Sequence, residues 1–169
     1  MRAIGPNSFP EEDNELLHTP LFKQVSPEQA NELIPYLHEA VFDKGDYIFR
    51  EGDRDHRMYL LERGRVKLIR ESKDRRVQLL SIHAHGELLG EIPVFDPSGG
   101  PRPATAVAMT HGTHVAWLEH DALFAWLNEH PRVAIDMLQV LANRMRGNNE
   151  RISDLVFMDV PARLAKTLL

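Results

Sequence analysis

Tyr47-Ile48-Phe49-Arg50-Glu51-Gly52-Asp53 and then Met58-Tyr59-Leu60-Leu61-Glu62-Arg63-Gly64-Arg65-Val66-Lys67-Leu68-Ile69 are short apolar runs cut by glycine-centred turns. A helix needs apolar residues three and four apart over a dozen positions, whereas these runs are too short and end at glycine. They read as strands. The same punctuation continues outward in both directions. Lys44-Gly45-Asp46 precedes the stretch, and Lys73-Asp74 and His85-Gly86-Glu87 follow it around Val77, Leu79, Leu80 and Ile82. A further strand pair is expected at Ala104 to Thr110 and Thr113 to Glu119. Regularly spaced short strands joined by tight turns describe an antiparallel β-roll of about eight strands, a jelly-roll or double-stranded β-helix.

The flanks are helical, so the fold class is α+β. Met1 to Thr19 holds Gly5, Pro6 and Pro10 with an acidic cluster and reads as a loose lead-in, turning helical near Asn14 to His18. Ser26-Pro27-Glu28 is a helix start, with a Ser cap, Pro at the first helical position and an acid in the first turn. The short helix behind it turns Ala30, Leu33, Ile34 and Leu37 inward. At the other end, His120 to Glu129 is a short helix that His130-Pro131 breaks. A long helix follows from about Arg132 to Phe157. Along it Ala134, Leu138, Leu141, Met145, Asn148, Ile152 and Leu155 alternate spacings of four and three, the seam of a two-stranded coiled coil. The alternative is a helix packed on its own core. The narrow stripe, broken once by a register-fixing Asn148, favours a homodimer with Leu138, Leu141, Met145, Asn148, Ile152 and Leu155 at its interface. Asp159-Val160-Pro161 interrupts the helix, and Leu164, Ala165, Leu168 and Leu169 open another. The expected organisation is a lead-in at 1–19, a β-roll at 20–130, a dimerisation helix at 131–157, and a hinge with the start of a further domain at 158–169.

Charge and composition restrict the function. Twenty-five acids against 20 bases give a net charge of −5, unlike a nucleic-acid-binding surface. With no cysteine, thiolate metal sites, disulfides and cysteine-held iron–sulfur clusters are excluded. No apolar run reaches the length of about 18 residues that a membrane helix needs. A cytoplasmic protein without membrane contact is expected.

The segment most suited to binding is Gly90-Glu91-Ile92-Pro93-Val94-Phe95, followed across a Gly/Pro-rich turn by Gly100-Pro101-Arg102-Pro103-Ala104. A glycine at a helix start offers backbone N–H groups to an anion, a carboxylate accepts sugar hydroxyls, and a guanidinium forks onto a phosphate. Alone, a Glu and an Arg at this spacing equally describe a surface salt bridge.

The order of motifs is more specific. Gly45 to Asp53 and Met58 to Leu68 resemble the opening strands of the cyclic-nucleotide-binding domain, and Gly86 to Ile92 with Phe95 and Arg102 resembles that family's phosphate-binding cassette. Ile152 to Leu169 is similar to the hinge and following helix of CRP/FNR transcription regulators, nearest the actinobacterial cAMP-receptor type. The resemblance covers about residues 20–169. It implies that Glu91 contacts the ribose, that Arg102 contacts the cyclic phosphate, and that Gly90 presents a backbone N–H, with Ile92, Pro103 and Ala104 beside them. It also implies that Asn148 and Asn149 approach the adenine and that Arg144 braces Glu91. cAMP is the implied small-molecule effector. Contacts with DNA and RNA polymerase would belong to a helix-turn-helix domain beyond this chain, which is expected to stop before it. Effector binding would reposition the long helix and the hinge at Phe157 to Pro161.

Two departures stand out. The family usually has Ser or Thr after the cassette Arg; Pro103 supplies neither hydroxyl nor N–H, removing two donors of about 1.5–3 kcal/mol each to an anion. Ser98-Gly99-Gly100 lengthens the turn, and its N–H groups, or Thr105, are candidate replacements. A sensor of another small molecule, a haem site using His83-x-His85 or His111-x-x-His114, and a ligand-free dimerisation scaffold remain as alternatives. Metal ligation is not expected, since neither histidine pair has a supporting acid or thiol at recognised spacing. Neither is catalysis: there is no nucleophile elbow, P-loop or Rossmann glycine pattern.

Overall fold

Ser26 starts the first described helix through its side chain. Its Oγ accepts the N–H of Gln29 at 3.2 Å, while Gln29 Oε1 accepts the N–H of Ser26 at 3.1 Å, a reciprocal capping box. The computed structural model describes residues 2–4, 25–72, 74 and 76–157. The helical lead-in at 14–18 and the hinge with its following helix at 158–169 lie outside them, and so does the side chain of Ala30. Helix α1 spans Pro27–Leu33, and a 3-10 turn, Ile34–Tyr36, delivers the chain to the sheets with Leu33 and Leu37 buried.

The strands are β1 (Arg2–Ile4), β2 (His38–Phe42), β3 (Tyr47–Phe49), β4 (Arg57–Arg63), β5 (Val66–Glu71), β6 (Val77–His83), β7 (Leu88–Leu89), β8 (Thr105–Ala108) and β9 (Thr113–Glu119). They form a five-stranded sheet in the order β1-β2-β9-β4-β7 and a four-stranded sheet in the order β3-β8-β5-β6, with every pairing antiparallel. Phe42, Phe49, Tyr59, Leu61, Val66, Leu89, Ala106, Ala108 and Val115 make one buried cluster drawn from both sheets. This is the jelly-roll that the strand spacing predicts.

Two details differ from the sequence reading. Arg2–Ile4 pairs with β2 inside the segment read as a loose lead-in. β8 and β9 are both strands, but they are not a pair: β8 lies between β3 and β5, and β9 between β2 and β4. The chain crosses from one sheet to the other at 109–112, where Met109 N–H donates to Arg65 O at 2.8 Å and Thr113 Oγ1 donates to Thr110 O at 2.8 Å. A core-facing alternation is satisfied from either sheet, so periodicity cannot say which strand is the neighbour. β6 forms as expected at the edge of its sheet, and Val77, Leu79, Leu80 and Ile82 on it are exposed.

Helix α2 is Glu91–Phe95, α3 is His120–Glu129 and α4 is Pro131–Phe157. The chain divides into two units after His130. In the first, α3 buries Leu123, Trp126 and Leu127, and the Trp126 indole N–H donates to Gln29 O on α1 at 3.0 Å. The second begins with α4, on which Val133 and Met137 are buried whereas Leu138 and Met145 are exposed.

Candidate ligand-binding site

β7 ends at Gly90, which has φ 72° and forms the cap of α2. Two constraints select glycine there. The left-handed backbone is strained for other residues, and a Cβ would overlap Arg102 Nη1. Buried Pro93 and Val94 anchor the single turn of helix, which closes with Asp96 N–H on Ile92 O at 2.9 Å. Asp96 then organises the glycine-rich turn. Its Oδ1 accepts the Ser98 N–H at 2.9 Å and the Ser98 hydroxyl at 2.7 Å, its Oδ2 accepts the Gly100 N–H at 3.3 Å, and its carbonyl accepts the Gly99 N–H at 3.0 Å. The Ser98 hydroxyl above all, with the N–H groups of Ser98 and Gly100, holds the Asp96 carboxyl below the usual carboxylate range.

The chain returns through Arg102. Its backbone is fixed on both sides, with N–H donating to Asp53 O at 2.8 Å and O accepting from Gly52 N–H at 2.9 Å. The side chain is fully buried. Nη1 donates to Gly90 O at 2.7 Å, Nη2 to Arg57 O at 2.7 Å and to Asp55 Oδ1, and Nε to Asp55 Oδ2 at 3.3 Å. Its guanidinium carbon lies 4.4 Å from the Phe49 ring centre and 5.5 Å from that of Tyr59. Burial, reinforced by the Asp55 carboxylate and opposed by Arg102 and Arg57, raises the pKa of the Tyr59 phenol above its ordinary 10.0.

The structure therefore brings Gly90, Glu91 and Arg102 to one corner of the roll. Glu91 opens α2 half-buried, Ile92 beside it is exposed, Pro103 is exposed and Ala104 is buried. Gly90 meets Arg102 through its carbonyl, and the guanidinium forks onto an acid of this chain. That acid, Asp55, was not singled out from the sequence. It lies 47 residues from Arg102, and the two main-chain bonds between Arg102 and the 52–53 turn, with the bond from Nη2 to Arg57 O, bring it near. Of the proposed replacement donors, the turn N–H groups go to Asp96, whereas Thr105 Oγ1 accepts the Glu51 N–H at 2.9 Å and keeps its own O–H to donate. On α4, Arg144 is half-buried and Asn149 exposed, while the side chains of Asn148, Ile152 and Leu155 lie outside the described residues.

A family profile described as the cyclic nucleotide-binding domain matches residues 39–130, more than half of the 169 residues. The chain belongs to the cyclic nucleotide-binding domain family. Within that family it is 36% identical over 157 residues to the CRP-like cAMP-activated global transcriptional regulator of Mycobacterium tuberculosis, covering 93% of this chain and 69% of the regulator. It also resembles the solved N-terminal domain of a Streptomyces coelicolor transcriptional regulator, with 39% identity, a TM-score of 0.65, and coverage of 87% of this chain and 99% of that one. The Thermus thermophilus catabolite activator protein gives a TM-score of 0.71 at 29% identity, over 82% of this chain and 64% of that one.

The histidine pairs weighed for haem or metal have protein partners. His83 is buried with Nε2 2.8 Å from Ser81 Oγ, and His85 Nδ1 meets Glu62 O. His111 Nδ1 lies 3.3 Å from Asp43 Oδ1, and His114 Nδ1 2.7 Å from Glu62 Oε2. Among the described residues, no helix is long and apolar enough to cross a membrane.

Proposed function

We propose that this chain is the ligand-sensing and dimerising part of a CRP-like transcription regulator, controlled by a cyclic nucleotide with cAMP foremost. The observation that carries the reading is the seat of Arg102 on Gly90 at the head of α2, with Glu91 next in the chain, inside a cyclic nucleotide-binding fold. One guanidinium, one carboxylate and a glycine-capped helix are the parts a ribose cyclic phosphate needs. A relative named as a cAMP-activated regulator and another named as a cyclic AMP receptor protein support the same ligand. Arg144, Asn148 and Asn149 keep their assignment to recognition of the adenine and bracing of Glu91. The chain carries Leu138 and Met145 exposed on α4, and the proposed homodimer covers them. Binding controls output only if the effector favours one arrangement of the dimer over another, since equal affinity for both shifts nothing.

Isothermal titration with cAMP, with cGMP alongside, tests the reading. Micromolar or tighter cAMP binding that Glu91→Ala weakens and Arg102→Ala abolishes supports it. No heat and no thermal stabilisation at millimolar nucleotide rejects it. A second reading, a sensor of another small molecule, is favoured by Pro103, which removes a donor where the turn N–H groups are already engaged with Asp96. It predicts stabilisation by other compounds in a thermal-shift screen and none by cyclic nucleotides.

A further inference from the structure

The donors of Arg102 and of the glycine-rich turn are largely engaged by groups of the chain itself. Arg102 gives all three of its nitrogens to Asp55, Gly90 O and Arg57 O, the turn N–H groups go to Asp96, and Pro103 has none to give. We infer that Asp55 sets the affinity of this pocket for anions: its carboxylate occupies the forked Nε/Nη2 edge of the Arg102 guanidinium, and a cyclic phosphate takes that edge by displacing it. The inference rests on the cyclic nucleotide reading above and adds a competitor to it.

The geometry says which partner yields. Arg102 is held by two main-chain hydrogen bonds, by Phe49 and Tyr59 beside its guanidinium and by complete burial of its side chain. Asp55 lies on the irregular connection 50–56 between β3 and β4, and its side chain is 30% exposed. Its other bond in the structure, from the Arg57 N–H, is a long 3.3 Å. Rotation of one carboxylate toward water frees the fork, whereas moving the guanidinium would break the core around it. The exchange conserves charge, because a carboxylate and a cyclic phosphodiester each spread one negative charge over two oxygens that fit the same guanidinium edge. A ligand therefore gains only the difference between two similar ion pairs, and a neutral molecule has no means of opening the pair. Asp55 thereby sets both a concentration threshold and a requirement for a forked anion.

Asp55→Asn removes the charge and keeps an oxygen for Arg102. Titrated with cAMP, it is expected to bind about tenfold or more tightly than the wild type, the size of one charge-assisted contact, and Arg102→Ala in the same background is expected to abolish the gain. A structural defect lowers affinity, so a gain reads the competition directly. Tighter binding by Asp55→Asn supports the inference, and binding by Asp55→Asn where the wild type is silent also restores the cyclic nucleotide reading that the wild type alone would reject. Equal or weaker binding by Asp55→Asn, with a wild type that binds, overturns the inference and leaves the cyclic nucleotide reading standing. Binding by neither protein overturns both. Should circular dichroism show that Asp55→Asn does not fold, the wild type decides through the carboxyl 13C resonance of Asp55. A shift to a solvated carboxylate on saturation with cAMP supports displacement, and an unmoved resonance, or no binding, overturns it.

Discussion

At the scale of single residues, carboxylates hold this corner together. Asp96 shows how that bears on pH. Its folded pKa is depressed below the ordinary 3.8, chiefly by the Ser98 hydroxyl, so ionised Asp96 stabilises the folded state. The sign follows from that direction. The contribution is complete above 3.8, shrinks as pH falls below it, and is gone under the lower folded value. Urea midpoints of the wild type and Asp96→Asn should therefore differ by a constant amount at neutral pH and converge only at acid pH below 3.8. A gap that stays constant down the acid limb would mean that the carboxyl does not hold the turn. The same residues mark how far the sequence could be read. Gly90, Glu91 and Arg102 were legible because motif order places them, and Gly90 has two local reasons to be glycine. Asp55 was not, because Gly52-Asp53-Arg54-Asp55 offers two acids two residues apart, and which one meets a guanidinium 47 positions later depends on tertiary register.

At the scale of elements, ends were easier to read than neighbours. Ser26-Pro27-Glu28 announced the start of α1, and the structure completes the cap through Gln29. Gln29 then ties the helix outward: its carbonyl takes the Trp126 indole N–H, and its Nε2 lies 3.2 Å from His130 Nδ1. Since Gln29 Oε1 faces the Ser26 N–H, Nε2 is the group turned to the imidazole. On its other side, His130 Nε2 lies 2.6 Å from Glu32 Oε2. Ser26→Ala removes the cap and loosens this arrangement. A loss of about 1 kcal/mol, typical of such caps, is expected, read as a lowered urea midpoint with unchanged slope. An unchanged midpoint would show that α1 is held by packing alone. Strand pairing was less legible. β8 and β9 follow one another across a short turn, as hairpin strands do, yet they belong to different sheets. Their alternation is correct for both arrangements. The deciding contacts are those of the crossing itself, including Thr110 Oγ1 and Thr113 Oγ1 packed where Gly64 has no side chain.

At the scale of the whole molecule, the question is what covers α4. Its 27 residues rise about 40 Å at 1.5 Å per residue. In the single chain the apolar positions divide into two sets. Val133 and Met137 are buried, whereas Leu138 and Met145 on the heptad stripe are 64% and 66% exposed, flanked by exposed Ile135. A helix serving only its own chain has no use for a second apolar stripe in water, and a twofold dimer brings that stripe against its own copy. Burying one leucine is worth about 1.5–3 kcal/mol, and the twofold buries two at each position. Leu138→Glu also sets two carboxylates into the seam, so the association constant should fall by roughly a hundredfold or more. Because Leu138 is exposed in the monomer, the circular dichroism spectrum should not change, which separates lost association from lost folding. Gln139→Glu, one exposed position off the stripe, adds the same charge outside the seam and should leave association intact. Sedimentation velocity over a concentration series reads all three proteins. A monomeric wild type, or a Leu138→Glu variant that associates as the wild type does, would leave the stripe without a second copy and would remove the dimer from the proposed mechanism.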